Sequence, residues 1–162
     1  MRWLFVVIKK GEPILILRYS DKIKSNCVAE HQKVIEQKGF VWWGKCGAKT
    51  SRKNIDLILS SKNPKMILYS GKNKCYICSL CTVTYEHPKS SYPKYYDSVF
   101  DEEIYPTTFY QIKDINEISK SKLVNLIISS SGRDLLDLMT NSMTTQCIAE
   151  PKNDLEIKIG DV

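Results

Sequence analysis

Residues 39–45 read GFVWWGK and hold two of the three tryptophans of a 162-residue chain. The run Val41-Trp42-Trp43 follows a helical pattern, sits between two glycines and ends at a lysine, which reads as a short strand. Successive side chains on a strand leave on opposite faces, so the two indoles cannot fill one core. Burying one helps the fold; the other needs a reason for its position. Flat aromatic surface stacks on nucleobases at roughly 1–3 kcal/mol per base. Lys45, Lys49, Arg52 and Lys53 follow directly, placed to hold phosphates while an indole holds a base. The competing reading puts one tryptophan in the core and the other beneath a tyrosine-rich loop. Spacing alone does not choose between them.

Outward from this stretch, helix and strand signals alternate. Ser25 or Asn26 is placed to cap a helix running to about Gln37, with Gly39 just past its end. Val28, His31 and Ile35 share one face of it. Before it come two apolar runs, Trp3–Lys9 and Pro13–Tyr19 (PILILRY), joined through Lys10, Gly11 and Glu12 as a turn. After the tryptophans, Ser51 caps a second helix with Ile55, Ile58 and Leu59 as its stripe, and Asn63-Pro64 ends it. Met66–Ser70 (MILYS) and Cys75–Tyr85 (CYICSLCTVTY) flank Gly71-Lys72-Asn73-Lys74, a hairpin signal. Residues 87–106, HPKSSYPKYYDSVFDEEIYP, are rich in proline and tyrosine and read as a long loop of the kind that often carries function. Strands resume at Phe109–Ile115 and Leu123–Ser129. A serine at 129–131 then caps a helix with Leu135, Leu138 and Met139 inward. From Pro151 the chain is polar, and its ending EIKIGDV reads as a last strand or as a linker. The expectation is one α+β domain over 1–150, with a tail or linker over 151–162. Its sheet is curved and mostly antiparallel, or an open barrel, covered by two or three helices.

A net charge of +6, carried mainly by lysines spread along the chain, suits a polyanionic partner such as nucleic acid. On charge alone, a plain lysine-rich surface is the simpler account. No apolar run reaches the length that crosses a bilayer, so no membrane partner is expected. The opening MRWLFVVIKK lacks a small-residue cleavage site and reads as a strand. The expected location is the cytoplasm, with the six cysteines as thiols. Cys75-x-x-Cys78-x-x-Cys81 has a metal-like spacing. On a strand, however, Cys75 and Cys81 face one way, roughly 20 Å apart, and Cys78 the other. A tetrahedral site needs each sulfur about 2.3 Å from one ion. The cysteines therefore read as small buried hydrophobes, and no metal or cofactor is expected. His31 reads as a structural histidine, and His87 precedes proline in the loop. Neither a zinc-deaminase pattern nor a P-loop occurs. Glu156-Ile157-Lys158 matches only half of a nuclease motif. No catalytic residue is assigned, and the chain reads as a binding module rather than an enzyme, with a catalytic domain elsewhere in a longer chain left open.

Several of these stretches together carry a resemblance. HQKVIEQKGFVWWGK (31–45), the helix NIDLILSS (54–61) and KMILYSGKNKCYICSLCTV (65–83) resemble the PUA-like superfamily and its EVE and YTH branches. FYQIKDI (109–115) and LIISSSGRDLLDLMTNSMTTQCI (126–148) are similar to EVE-type domains at the N-termini of McrB-like restriction systems. The match spans about residues 25–148 and rests on the order of elements with a few shared residues. It implies a cage of aromatic side chains holding one modified base, flipped from a duplex or taken from a single strand. Trp42 or Trp43 is then a cage wall, and Tyr69 and Ser70 line or neighbour the pocket. The chain departs from the YTH pattern in having a second tryptophan and then Gly44 where Ser or Thr follows the first. With no tryptophan downstream, Tyr92, Tyr95, Tyr96 or Phe109 has to supply the second wall. The expected role is a reader of modified, methylated nucleic acid, DNA before RNA, targeting a restriction or defence system with a motor or nuclease partner. A protein-interaction adaptor and a small nucleic-acid-modifying enzyme are the alternatives.

Overall fold

The computed structural model describes residues 4–71, 74–101, 103–142 and 144–159. Trp3, Lys72 and Asn73, and the last three residues of EIKIGDV lie outside them. In chain order the elements are β1 (Leu4–Ile8), β2 (Ile14–Arg18), α1 (Cys27–Lys38), β3 (Val41–Lys45), α2 (Arg52–Leu59), β4 (Lys65–Tyr69) and β5 (Cys75–Thr84). There follow α3 (Tyr95–Val99), β6 (Thr108–Ile118), a 3-10 turn (Lys120–Leu123), β7 (Leu126–Ile128), α4 (Leu135–Asn141), β8 (Gln146–Pro151) and β9 (Leu155–Ile159). Local chemistry sets the ends of the early helices. Gly39 closes α1 in the left-handed conformation, with φ 85°, its N–H returning to the Ile35 carbonyl. The Ser51 side chain accepts from the Asn54 N–H at the start of α2.

Seven strands form one sheet in the order β3-β6-β5-β4-β2-β8-β7. It does not close on itself, so β3 and β7 are its edges. Every pairing is antiparallel except β2 with β4. The central strands are apolar on both faces because both faces are covered. Leu15, Leu17, Met66, Leu68, Tyr76 and Cys78 join one core with Val41, Trp43, Ile55, Ile58 and Tyr110. Ile14, Ile16, Ile67, Tyr69, Cys75 and Ile77 join a second core with Leu126, Leu135, Ala149 and Ile157. This alternation explains PILILRY: its period of two is hidden because neither face meets water.

The structure differs from expectation in several places, each for a local reason. The turn at Lys9–Glu12 forms, with Gly11 at φ 78°, but β1 does not pair with β2. Both edges of β2 are occupied, by β4 and β8. β1 instead pairs antiparallel with β9, Leu4 opposite Ile159 and Ile8 opposite Leu155. Of the two readings of the C-terminal stretch, a strand is what forms over 155–159, and Ile157 is fully buried in the second core. The long loop contains a helix, α3. Four α-helices, not two or three, stand among the described residues. The cap position of α4 is Asp134 rather than a serine at 129–131, and Leu138 is only half-buried while Leu135 and Met139 are buried.

Candidate functional site: an aromatic cleft beside the edge strand

On β3, Val41, Trp43 and Lys45 point inward and Trp42 and Gly44 point the other way. The two indoles are thus separated by the sheet. Trp42 is half-buried on the far face, opposite Gln111 of β6, and its backbone N–H reaches the Ser91 carbonyl across the strand's open edge. Trp43 is 6% exposed, within the core that holds Leu17, Val41 and Ile58, and rings also pack on it. The His31 imidazole stacks on it at 4.1 Å between centroids and 28° between planes. Tyr19 meets it edge-on at 5.6 Å and 82°.

A chain of hydrogen bonds fixes this backing. The Gly44 N–H donates to the Tyr96 hydroxyl oxygen at 2.9 Å. His31 Nδ1 lies 2.6 Å from the Cys27 carbonyl, which can only accept, so that nitrogen carries the proton. His31 Nε2 is then bare and accepts the Tyr96 O–H at 2.6 Å. The imidazole is neutral, and burial holds its pKa down at about 4 against the Cys27 carbonyl and Glu30, which work in the opposite sense. Three elements, α1, β3 and α3, meet at one histidine. Gly44 has its own packing reason: a Cβ there would stand 2.9 Å from Pro106 and 3.2 Å from the Phe109 ring.

Beside Trp43 lies a cleft of about 230 Å³. Its ring-bearing walls are Tyr19, His31, Trp43, Tyr95, Tyr96 and Phe100, and Arg18, Lys24 and Lys45 stand among its lining. Burial raises the pKa of Tyr19, with a Ser70 hydrogen bond working against it, and burial likewise raises that of Tyr95. Both phenols stay protonated at neutral pH and can donate. Lys24 Nζ lies 6.0 Å from the centre of the Tyr95 ring. The site therefore offers flat apolar surface, hydroxyl donors and positive charge, and no carboxylate lines it among the described residues.

Of the residues singled out in the sequence, Trp43, Tyr95, Tyr96 and Lys45 come together here. Trp42 does not. Phe109 is fully buried opposite Gly44, on the other face of the sheet, beneath His87 at 5.2 Å. Tyr69 points into the second core and donates its hydroxyl to the Thr144 carbonyl at 3.1 Å. Ser70 is buried and hydrogen-bonds Tyr19, a wall of this cleft. Lys45 is turned inward: its Nζ donates to the Cys46 and Ala48 carbonyls at 3.1 and 3.0 Å, tying down the following loop. Burial lowers its pKa. Lys49, Arg52 and Lys53 are exposed, the first two over the Tyr85 ring at 4.8 and 5.0 Å. Sequence reasoning missed Tyr19 as a wall, although it continues the period of two from Leu15 and Leu17. His31 was placed on the right helix face without its stacking role.

Cys75 and Cys78 are buried in the two different cores, as the strand alternation requires. Cys81 and Cys46 are exposed, which corrects the uniform buried reading. The pairing of β5 with β6 shifts on both sides of Leu80, and that irregularity turns Cys81 outward. No group of three metal-binding side chains occurs among the described residues.

The open sheet, its helical cover and the cation-bearing aromatic cleft describe an α+β module. A family model described as Pua-like matches residues 15–143, and the chain belongs to that family. Neither a curated protein nor a solved structure matches it. No helix among the described residues is long and apolar enough to cross a membrane.

Proposed function

We propose that this chain reads a single modified base, taken from a DNA strand in preference to RNA, in the cleft walled by Trp43, Tyr19 and Tyr95. The observation that carries the reading is the indole of Trp43, backed by His31 at 4.1 Å and lining an aromatic cleft with cations around it. Flipping a base costs a few kcal/mol, and two stacking walls at roughly 1–3 kcal/mol each offset that. Trp43 is only 6% exposed, so an incoming base displaces part of the present lining. Tyr19 and Tyr95, both half-buried, are the rings that shift to admit the base and close on it as the second wall. A methyl group on the base gains only ~1–3 kcal/mol from an apolar wall, so preference for the modified base is about 10–200-fold. The module needs no catalytic residue of its own. The resemblance to EVE-type domains supports its use as the targeting part of a restriction or defence system, with a motor or nuclease as partner.

The test is a low-salt binding screen of single- and double-stranded oligonucleotides carrying different modified bases, with native protein and Trp43→Ala. At least one modified substrate should bind the native protein and lose roughly ten- to a hundredfold with Trp43→Ala. Equal affinity of both proteins for every substrate would remove the reading. A second reading, a protein-interaction adaptor, draws on β1, where Leu4, Phe5 and Val7 are 66%, 51% and 54% exposed. Binding of nucleic acid that is absent at low salt would favour it.

A further inference from the structure

Arg18, at the end of β2, belongs to two clefts. It lines the aromatic one, and it also lines a smaller recess of about 190 Å³ with Tyr69, Ser70, Gly71, Cys75 and Lys120. The two differ in chemistry. The aromatic cleft is a set of ring faces. The recess has one ring, Tyr69, and two cations, and no carboxylate lines it among the described residues. Its walls sense both charges. Burial raises the Tyr69 phenol and Arg18 pulls it back; burial raises the Cys75 thiol to about 11 and Lys120 pulls it back. The guanidinium is held in place, with Nη1 donating to the Ser142 carbonyl at 3.1 Å.

A nucleotide brings its phosphate with its base. A strand that places a base against Trp43 must lay the neighbouring phosphates on adjoining surface, and anions settle where donors converge and carboxylates are missing. We propose that the recess between Arg18 and Lys120 is a phosphate subsite, holding the phosphodiester next to the base seated in the aromatic cleft. The assignment rests on the base-reading function and deepens it, because it gives the strand a path. The backbone then runs past the end of β2 toward the 3-10 turn.

The experiment uses the full chain and the oligonucleotide that binds best in the low-salt screen, prepared with its natural linkages and with one uncharged methylphosphonate 5′ or 3′ of the modified base. Native protein, Lys120→Gln and Trp43→Ala are compared, with thermal melts to confirm that each is folded. Lys120→Gln should weaken the natural oligonucleotide roughly tenfold and lower the slope of log affinity against log salt by about 0.7. One of the two neutral linkages should weaken the native protein and have no further effect on Lys120→Gln. If Lys120→Gln binds all three oligonucleotides as the native protein does, or if each neutral linkage costs both proteins equally, the subsite is overturned. Loss of binding in Trp43→Ala alone, with Lys120→Gln unchanged, removes the subsite and keeps the base reading. Unchanged binding in both variants, or no binding by the native protein, removes both.

Discussion

The two faces of the seven-stranded sheet are made by alternate residues of the same strands, and they are built differently. Ile14, Ile16, Ile67 and Ile77 meet β9, α4 and the 3-10 turn in an aliphatic core whose one ring among the described residues is Tyr69. One residue along, Leu15, Leu17, Met66 and Leu68 meet a core that includes Trp43, Tyr76 and Tyr110, with Tyr19, Tyr85 and Tyr95 packed at its border. Aliphatic packing closes a face. Rings joined by hydrogen bonds, as at Gly44, Tyr96 and His31, hold a wall beside an open cleft. The contrast teaches where a single strand can divide its labour: Trp42 and Trp43 are neighbours in sequence, and only one of them belongs to the cleft.

Substitutions on the two faces should separate stability from binding. Ile67→Ala, at a fully buried site of the aliphatic core, should cost roughly 2–5 kcal/mol in denaturant unfolding. The affinity of the folded fraction should stay unchanged. A matching loss of affinity would erase the distinction between the faces.

His31 gives the ring-lined face a pH dependence. Its folded pKa is about 4, below the ordinary 6.5, so the unfolded chain takes up a proton first as pH falls. The stability contributed by neutral His31 is present above about 6.5 and is lost on acidification toward 4. The loss is on the order of 3 kcal/mol for this depression. His31→Gln should flatten that part of the stability profile relative to the native protein. Parallel profiles would mean that the imidazole is not held neutral.

Gly44→Ala should destabilise by about 1–3 kcal/mol, because the added methyl meets Pro106 at 2.9 Å. It should also perturb the cleft, since the Gly44 N–H anchors Tyr96. The smallest effect is expected at the exposed Arg52, whose guanidinium lies 5.0 Å from the centre of the Tyr85 ring. Arg52→Ala should cost no more than about 1 kcal/mol of stability. If Arg52 also meets phosphate, affinity should fall for all sequences alike, with a salt slope lower by about one.

Much of the architecture was legible in local signals. Gly39 and Ser51 bounded their helices, and the segment around Gly71 joined two antiparallel strands. These features depend on neighbours in sequence. The pairing of β1 with β9 depends on which edges remain free once β2 is enclosed, and no local pattern states that. Five residues are too few for α3 to show a helical period within a proline-rich stretch. The site divides in the same way. Alternation was enough to send the two indoles apart. It did not say which faced the cleft, because that follows from where α1 lies, with His31 laid against Trp43. Tyr69 and Phe109 were expected at the cage and sit elsewhere because their strand registers turn them to the opposite face. Tyr19 came to the cleft from a strand distant in sequence.

The central claim is that Trp43 is the surface on which a base stacks. With Trp3 and Trp42 both replaced by phenylalanine, Trp43 becomes the sole source of indole fluorescence. Titration with the best-binding modified oligonucleotide should quench that emission saturably, with a midpoint equal to the affinity measured independently. Emission that stays unchanged at saturating oligonucleotide would contradict the account.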